Sequence, residues 1–296
     1  MLSHALERTL KHSCHDSELL EVMNYAVLGT GKFFRPRLVE AVALDLTKSF
    51  SQNHLHLAIS IELHHAYTLV HDDLPAMDND LFRRGKPSTH AQFGEWKAIL
   101  AGDALLICSF DELNKISHSN FRLINKLMTW STGAKGLIHG QFRDLASDGT
   151  LDIHSVVRIH ELKTARLIQL ATLGAYLLTE DISFRGKIEF LRLGREIGVC
   201  FQLLDDLSEL TSKEVSTHEE KINPFLHSGH DALFILKQSH HRLKKIISRY
   251  NLFHVEEMII DYLKDNQKKL ITNYECLETN LGTKNHDLKE WITSFV

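Results

Sequence analysis

The sequence predicts an all-α protein built as one helical bundle, and three observations support this fold class. Its 296 residues include only 4 Pro and 15 Gly, which is few for a protein of many strands and turns. Apolar residues recur at helical spacing, and no convincing segment alternates apolar and polar residues. No stretch is rich enough in Ser, Gly or Pro to be an inter-domain linker. We therefore expect a single domain over residues 1–296.

Five long segments have the apolar spacing of helices, and turn-forming residues separate them. About half of these segments are apolar nearly all round, which indicates helices buried at the centre of a bundle. Residues 240–296 show a less regular pattern. The helices are predicted over residues 55–74, 97–113, 121–145, 154–178 and 186–210, with breaks at Pro75 and residues 83–87, 148–149 and 181–183.

Composition excludes several classes of protein. The 34 Lys and Arg residues nearly balance 38 Asp and Glu residues, and this formal net charge of -4 argues against a nucleic-acid-binding surface. The four cysteines are far apart, without a C-x-x-C pair, which favours a reducing compartment. The N-terminus lacks a signal-peptide pattern, and no window approaches 18 uninterrupted apolar residues. We expect a cytoplasmic protein without a transmembrane segment.

A first group of acidic residues stands at the end of the apolar segment 55–74. Asp72, Asp73 and Asp78 surround Pro75, which cannot continue the hydrogen bonding of a helix. Carboxylates at a helix C-terminus face the negative end of the helix dipole, at a cost of up to about 1 kcal/mol each. A solvated helix end would explain one such Asp. It explains less well three acids followed by the basic segment 83–87.

A second acidic group lies in the predicted helix 186–210. Gln202, Asp205, Asp206 and Glu209 are spaced i, i+3, i+4 and i+7, which places them on one stripe of the helix. Acidic residues on such a stripe cost free energy in an apolar environment unless they are paired or bound to metal. A solvent-exposed helix face would explain the pattern equally well. Ligands that are all oxygen favour Mg²⁺. Two acidic groups facing each other would hold several Mg²⁺ ions against one polyphosphate.

Basic residues are then needed to bind the anion. Residues 29–32 superficially look like a phosphate-binding loop, but Ala26 replaces its first Gly and Phe33 follows the Lys, so we exclude a nucleotide P-loop. The candidate cations are Lys32, Arg35, Arg83, Arg84 and Lys163.

His65 is a further candidate because it shares a helix face with Thr68 and Asp72. Its distance from Asp72 along the helix axis is about 10 Å, which suits two anions bound at two depths of one cavity. From spacing alone, a core histidine with satisfied hydrogen bonds is the better explanation.

Seven short motifs follow one another in a defined order. They are GKFFRP (31–36), HAYTLVHDDLPAMD (65–78), RRGKP (83–87), AGDAL (101–105), GQFRD (140–144), KT (163–164) and FQLLDD (201–206). Together they resemble the trans-isoprenyl diphosphate synthases of the polyprenyl synthetase family, most closely the bacterial farnesyl diphosphate synthases. The resemblance runs from about Gly29 to Glu209. It implies an isoprenoid-synthase-type helical bundle around a central cavity, usually a homodimer.

The resemblance also implies an activity: Mg²⁺-dependent condensation of isopentenyl diphosphate with dimethylallyl or geranyl diphosphate. The metal ligands it implies are Asp72 and Asp78 in the first motif and Asp205 in the second, with Glu209 able to accept metal-bound water. The residues it implies for isopentenyl diphosphate are Lys32, Arg35, His65 and Arg84, and those for the allylic diphosphate are Arg83 and Lys163. Thr164 and Gln202 would lie near the developing cation, and Gln141 and Asp144 would line the cavity.

Tyr67 bears on product length. An aromatic residue five positions before the first Asp of the motif forms a short floor to the tunnel in this family. Together with the spacing from Asp72 to Asp78, it implies a C15 product, farnesyl diphosphate. Simple core packing is the alternative role for Tyr67.

Two departures from the family pattern leave other functions open. The first is Glu209, which stands where a last Asp is expected. The second is the segment 210–225, which is short and lacks the usual glycines. Lys221 or Lys213 would therefore have to replace a diphosphate-binding Lys of that segment. The alternative is a degenerate, non-catalytic or regulatory paralogue that binds prenyl diphosphates. A terpene-synthase-like enzyme is a third possibility, but retention of the residues implied for isopentenyl diphosphate argues against it.

Overall fold

The computed structural model describes residues 2–29, 31–147, 152–212, 215, 220, 222–282 and 286–294, and most of these residues are helical. A two-residue antiparallel hairpin joins β1 (Phe82–Arg83) to β2 (Lys86–Pro87). The helices are α1 (Leu2–Ser13), α2 (Ser17–Val27), α3 (Phe34–Thr47), α4 (Gln52–Asp72), α5 (Thr89–Phe93), α6 (Glu95–Asn114), α7 (Phe121–Thr132), α8 (Leu137–Leu145), α9 (Ile153–His160), α10 (Arg166–Leu177), α11 (Phe184–Glu209), α12 (Pro224–Tyr250), α13 (Phe253–Thr272), α14 (Tyr274–Leu281) and α15 (His286–Ser294).

The all-α prediction is confirmed, but two of the predicted segments are divided. Segment 121–145 forms α7 and α8, because the backbone at Gly136 is far from helical (φ -130°, ψ -124°) and a Cβ atom there would overlap Ser131. Segment 154–178 contains a π-helical turn, Glu161–Ala165, between α9 and α10. Residues 240–296 are more regular than their pattern indicated, since α12 to α15 cover most of them.

Contacts between residues divide the chain into two compact units. The first contains Met1–Leu127 and Gly174–Asp181, and the second contains Met128–Leu173 and Ile182–Val296. In the first unit, a core of fully buried side chains such as Leu6, Leu63 and Leu105 joins α1, α4 and α6. The expectation of a single domain over residues 1–296 stays a prediction. No helix among the described residues is long and apolar enough to span a bilayer.

Helix α4 begins with a capping box. The Ser51 hydroxyl accepts a hydrogen bond from the His54 backbone N–H, and the His54 ring accepts one from the Ser51 N–H. The helix is then buried along most of its length until Asp72. The capping box and Pro75 together fix the two ends of α4, so the acidic turn follows directly from a rigid, buried helix.

Two glycines let α11 pack closely in the second unit. A Cβ atom at Gly198 would overlap Ala165, and one at Gly194 would overlap the backbone of Gln169. The backbone of α11 therefore approaches the π-helical turn and the start of α10 more closely than any larger residue would allow. This contact positions Thr164, in the π-helical turn, beside α11.

Candidate active site

The first acidic motif forms a compact turn in the first unit. The Asp78 N–H donates to the Asp72 carbonyl (2.9 Å), and the Met77 N–H donates to the Leu74 carbonyl (2.8 Å). This turn brings the backbones of Asp72 and Asp78 together. The Asp72 side chain is half-buried and Asp78 is exposed, so both lie where solvent and a hydrated ion can reach.

Asp73 points inward instead and pairs with Arg83. Its carboxylate is 3% exposed and accepts a hydrogen bond from Arg83 Nε (2.6 Å), and Asp80 lies 3.0 Å from the same guanidinium. Burial raises the pKa of the Asp73 carboxyl, although the hydrogen bond from Arg83 and its charge act in the opposite direction. The sequence did not single out this role for Asp73. The structure makes it the residue that positions Arg83.

Arg84 occupies the turn of the β1–β2 hairpin. Arg84 (φ 53°) and Gly85 (φ 78°) both have left-handed backbones, as the tight two-residue turns of β-hairpins require. The Arg84 guanidinium lies so close to Gly31 that a Cβ atom there would overlap it. After the turn, Lys86 Nζ donates to the Tyr25 carbonyl (2.6 Å) and lies 3.8 Å from the centre of the Tyr25 ring. These contacts attach the hairpin to the C-terminal part of α2.

The charges of Arg35 and Arg84 act on His65 and on the buried carboxylate of Glu62. Burial lowers the pKa of Arg35 to about 10, and the charge of Glu62 opposes this shift. Burial, followed by the charges of Arg35, Arg84 and Arg83, lowers the pKa of His65 well below its usual value. His65 is therefore a neutral imidazole near pH 7, with one N–H to donate.

Glu62 is a member of this cluster that sequence reasoning missed. It is 4% exposed, and burial raises the pKa of its carboxyl while Arg35 and Arg84 lower it. Its only signal in the sequence is an acidic residue in an apolar helix, three positions before His65. Lys32, by contrast, is exposed just before α3.

Tyr67 is buried in the core of the first unit, at 7% exposure. Its ring makes edge-to-face contacts with His64 (4.6 Å between ring centres) and His71 (5.6 Å). Burial and the charge of Asp72 raise the pKa of its phenol to about 12, so the hydroxyl stays neutral. Tyr67 therefore contributes to core packing in the first unit.

The second unit holds the other predicted residues on the π-helical turn and α11. Thr164 Oγ1 donates to Gln202 Oε1 (2.9 Å), and Gln202 Nε2 donates to Asp206 Oδ1 (3.1 Å). Lys163 Nζ donates to Asp144 Oδ2 (2.7 Å). Such π-helical insertions are frequent at functional sites because they redirect side chains out of the regular helix.

Asp206 is the inward-pointing acid of the second motif. It is 6% exposed, its carbonyl accepts a hydrogen bond from Asn223 (2.8 Å), and His160 Nε2 lies 3.6 Å from its carboxylate. Burial lowers the pKa of His160 to about 4, so His160 is neutral near pH 7. Asp205 and Glu209 are exposed. Both motifs thus pair one buried acid with two solvent-accessible ones.

The accessible acids suit Mg²⁺. No three His, Cys, Asp or Glu side chains within the described ranges come together as a metal-binding group. Mg²⁺ does not need such a group, because it is held by one or two carboxylates and completes its octahedral shell with water and phosphate oxygens. Asp72, Asp78, Asp205 and Glu209 offer oxygen donors of this kind.

Gln141 has a buried amide whose oxygen and nitrogen both lack a hydrogen-bond partner among the described residues. A buried unpaired amide is unfavourable unless water or a ligand satisfies it, which fits the cavity-lining role that the resemblance implies. Lys221 and Lys213 lie outside the described residues.

Comparison with known proteins identifies the family. The polyprenyl synthetase family model matches residues 16–267. The chain is 38% identical to farnesyl diphosphate synthase of Micrococcus luteus, over 68% of this chain and 69% of that protein. It is 37% identical to geranylgeranyl diphosphate synthase of Cyanophora paradoxa, over 66% of this chain and 67% of that protein.

Solved structures agree with this assignment. Geranyltranstransferase of Thermotoga maritima superposes with a TM-score of 0.79 at 27% identity, covering 90% of this chain and 96% of that one. Geranyltransferase of Helicobacter pylori, complexed with magnesium and isoprenyl diphosphate, gives a TM-score of 0.76 at 27% identity, covering 89% and 95%. These findings confirm the isoprenoid-synthase fold and the predicted enzyme class. The chain belongs to the polyprenyl synthetase family of trans-prenyltransferases.

Proposed function

We propose that this protein condenses isopentenyl diphosphate with dimethylallyl or geranyl diphosphate to a short-chain prenyl diphosphate, C15 farnesyl diphosphate. The observation that carries this proposal is the cluster of Arg35, Arg84 and neutral His65, which lies in the same compact unit as the acidic turn of Asp72 and Asp78. An enzyme that only ionised an allylic diphosphate would not need this second group of cations. Its retention supports the binding of a second diphosphate, that of isopentenyl diphosphate.

Each diphosphate has its own cations in this proposal. Arg35, Arg84 and Lys32 bind isopentenyl diphosphate, and His65 donates a hydrogen bond without adding another charge. Arg83 and Lys163 bind the allylic diphosphate. Their carboxylate partners, Asp73 and Asp144, fix the direction of each cation at hydrogen-bonding distance.

The first chemical event is cleavage of the allylic C–O bond. Mg²⁺ held by Asp72, Asp78, Asp205 and Glu209 would neutralise the charge that grows on the leaving diphosphate. The oxygens of Thr164 and Gln202 stabilise the developing allylic cation by their dipoles. Neither is a strong nucleophile, so the cation survives until the isopentenyl double bond attacks it. A new C–C bond forms, and the proton lost passes to the released diphosphate.

A non-catalytic or regulatory paralogue remains the second candidate. The short segment 210–225, without the expected glycines, favours it, because that segment carries part of the allylic diphosphate site in the family. The two candidates differ in one observable, turnover by the protein alone. The cytoplasmic location stays a prediction.

We also propose that the active form is a homodimer. An exposed apolar stripe on α6 supports this, formed by Trp96 (64% exposed), Ile99, Leu100 and Ile107 (67% exposed). Four large apolar side chains exposed on one helix are unusual on a monomer surface, and a two-fold axis would let the stripe cover itself.

The metal assignment is tested with Asp72→Asn and Asp205→Asn. Each change removes a negative charge but keeps the side-chain size, so we expect product formation to fall by about 100-fold or more, because neutralisation of the leaving group is lost. Steady-state product formation and circular dichroism are measured together. The matched control is Glu257→Gln, at an exposed position of α13. Normal turnover by either Asn variant, with helicity intact, would contradict the assignment.

The chain-length role of Tyr67 is tested with Tyr67→Ala and Tyr67→Phe. In the proposed role the ring forms the floor of the product tunnel, so we expect the Ala variant to make products of C20 or longer, whereas Phe keeps the ring and the C15 product. Loss of a buried ring costs about 3 kcal/mol of stability, so product analysis is done at a temperature where both variants are folded. An unchanged C15 product from the Ala variant would refute this role.

The dimer is tested with Ile107→Glu on α6. A charge within the apolar stripe must be desolvated on association, so we expect a dimeric wild type and a monomeric variant in sedimentation velocity. Phe253→Glu is the control, because Phe253 is equally exposed (65%) but lies on α13. A monomeric wild type, or dissociation by both variants alike, would show that α6 does not form the interface.

A further inference from the structure

A cavity in the second unit is lined mainly by basic side chains. Its volume is about 670 Å³, within the range of small-molecule sites. We propose that it binds a small molecule that carries a di- or triphosphate group, at a site separate from the residues assigned to the reaction. The cations of the cavity are Arg185, Arg192, Arg195, Arg242, Lys245 and Arg249.

Helical spacing brings these cations together from two packed helices. On α11, Arg185 and Arg192 are seven residues apart and share a face. On α12, Arg242 and Arg249 are also seven residues apart, with Lys245 between them. Because α11 and α12 pack against each other, the two basic stripes line the same cavity.

Two buried carboxylates hold part of the cluster in place. Glu189, whose side chain is 9% exposed, lies 2.8 Å from Arg249 and 3.8 Å from Arg192. Glu196, at 5% exposure, lies 2.7 Å from Arg195 and 3.8 Å from Arg242. Guanidiniums fixed by buried acids lose little conformational entropy when they bind an anion.

The acids do not balance the cations. Six positive charges face two carboxylates in the lining, and outside the lining Glu161 also bonds Arg195 (2.6 Å). Within the described part of the chain, neither Arg185 nor Lys245 has a carboxylate within 4 Å. Like charges gathered around one cavity repel each other, and a bound polyanion would relieve this repulsion through charge-assisted hydrogen bonds.

The cavity is distant from the second acidic motif. Ten residues of α11 separate Arg195 from Asp205, which is about 15 Å along the helix axis, and Arg185 is about 30 Å away. None of the residues assigned to the metal or to either substrate lines the cavity. It is therefore not part of the site proposed for the reaction.

The shape and chemistry of the cavity select the ligand class. Several guanidinium forks around one concave space match a chain of phosphates better than a single small anion. A membrane surface is a poorer match, because the lining has one apolar residue, Ile246, and the basic groups converge on a cavity instead of spreading over a flat face.

The test measures binding of inorganic triphosphate and of ATP by calorimetry, with EDTA present so that metal-dependent sites do not contribute. The site variant is Arg185→Gln with Lys245→Gln, which neutralises one exposed cation on each helix. The control variant is Lys187→Gln with Lys244→Gln, which makes the same charge change on the same helices outside the cavity. Unfolding temperatures of the free proteins show that both variants are folded.

We expect wild type and control to bind triphosphate alike, and the site variant to bind roughly tenfold or more weakly. Equal affinity for triphosphate and ATP would show that the phosphate chain alone is recognised, and tighter binding of ATP would identify a nucleotide site. Absence of binding by the wild type, or an equal loss in both variants, would overturn the proposal. So would binding only to vesicles of anionic lipid, measured in parallel.

Discussion

Each acidic motif contains one buried carboxylate that organises the residues around it. Asp73 holds Arg83 from the hairpin, and the Asp206 carboxylate accepts a hydrogen bond from Gln202, while its backbone carbonyl accepts one from Asn223. A buried carboxylate needs such a partner, and removal of one member of a buried ion pair typically destabilises a protein by about 3–5 kcal/mol. Asp73 and Asp206 point inward to these partners. The other acids of the two motifs, Asp72, Asp78, Asp205 and Glu209, are accessible to solvent.

The need of a buried charge for a partner also explains the cluster around His65. Arg35 carries a charge in a buried environment, so Glu62 is needed nearby as a counter-charge. His65 responds to the surrounding positive charges by remaining neutral, and it can then donate a hydrogen bond without further repulsion. In the proposed function, the diphosphate of isopentenyl diphosphate supplies the negative charge that the cluster still lacks.

Much of the fold could be predicted because its signals are local. The end of α4 follows from Pro75, and the long apolar segments became helices within a few residues of their predicted ends. The break between α7 and α8 was missed because it depends on one backbone conformation, at Gly136. The π-helical turn was missed because one extra residue per turn does not disturb the apolar pattern enough to be visible.

Residue types and motifs predicted which residues belong to the site, but not the contacts between them. Spacing placed Asp205 and Glu209 on one helix face, and the motifs supplied the basic residues. The partners Glu62 and Asn223 could not be identified, because their roles depend on contacts made after folding. The basic cavity on α11 and α12 was also missed, since the two stripes that form it are about 50 residues apart in the chain.

Product analysis of the wild-type protein is the most direct test of the proposed function. The protein is incubated with Mg²⁺, isopentenyl diphosphate and either dimethylallyl or geranyl diphosphate, and the chain lengths of the products are identified. The proposed function predicts a C15 product from both allylic substrates. No product from either, while the same diphosphates still raise the unfolding temperature, would contradict it and identify a binding or regulatory paralogue instead.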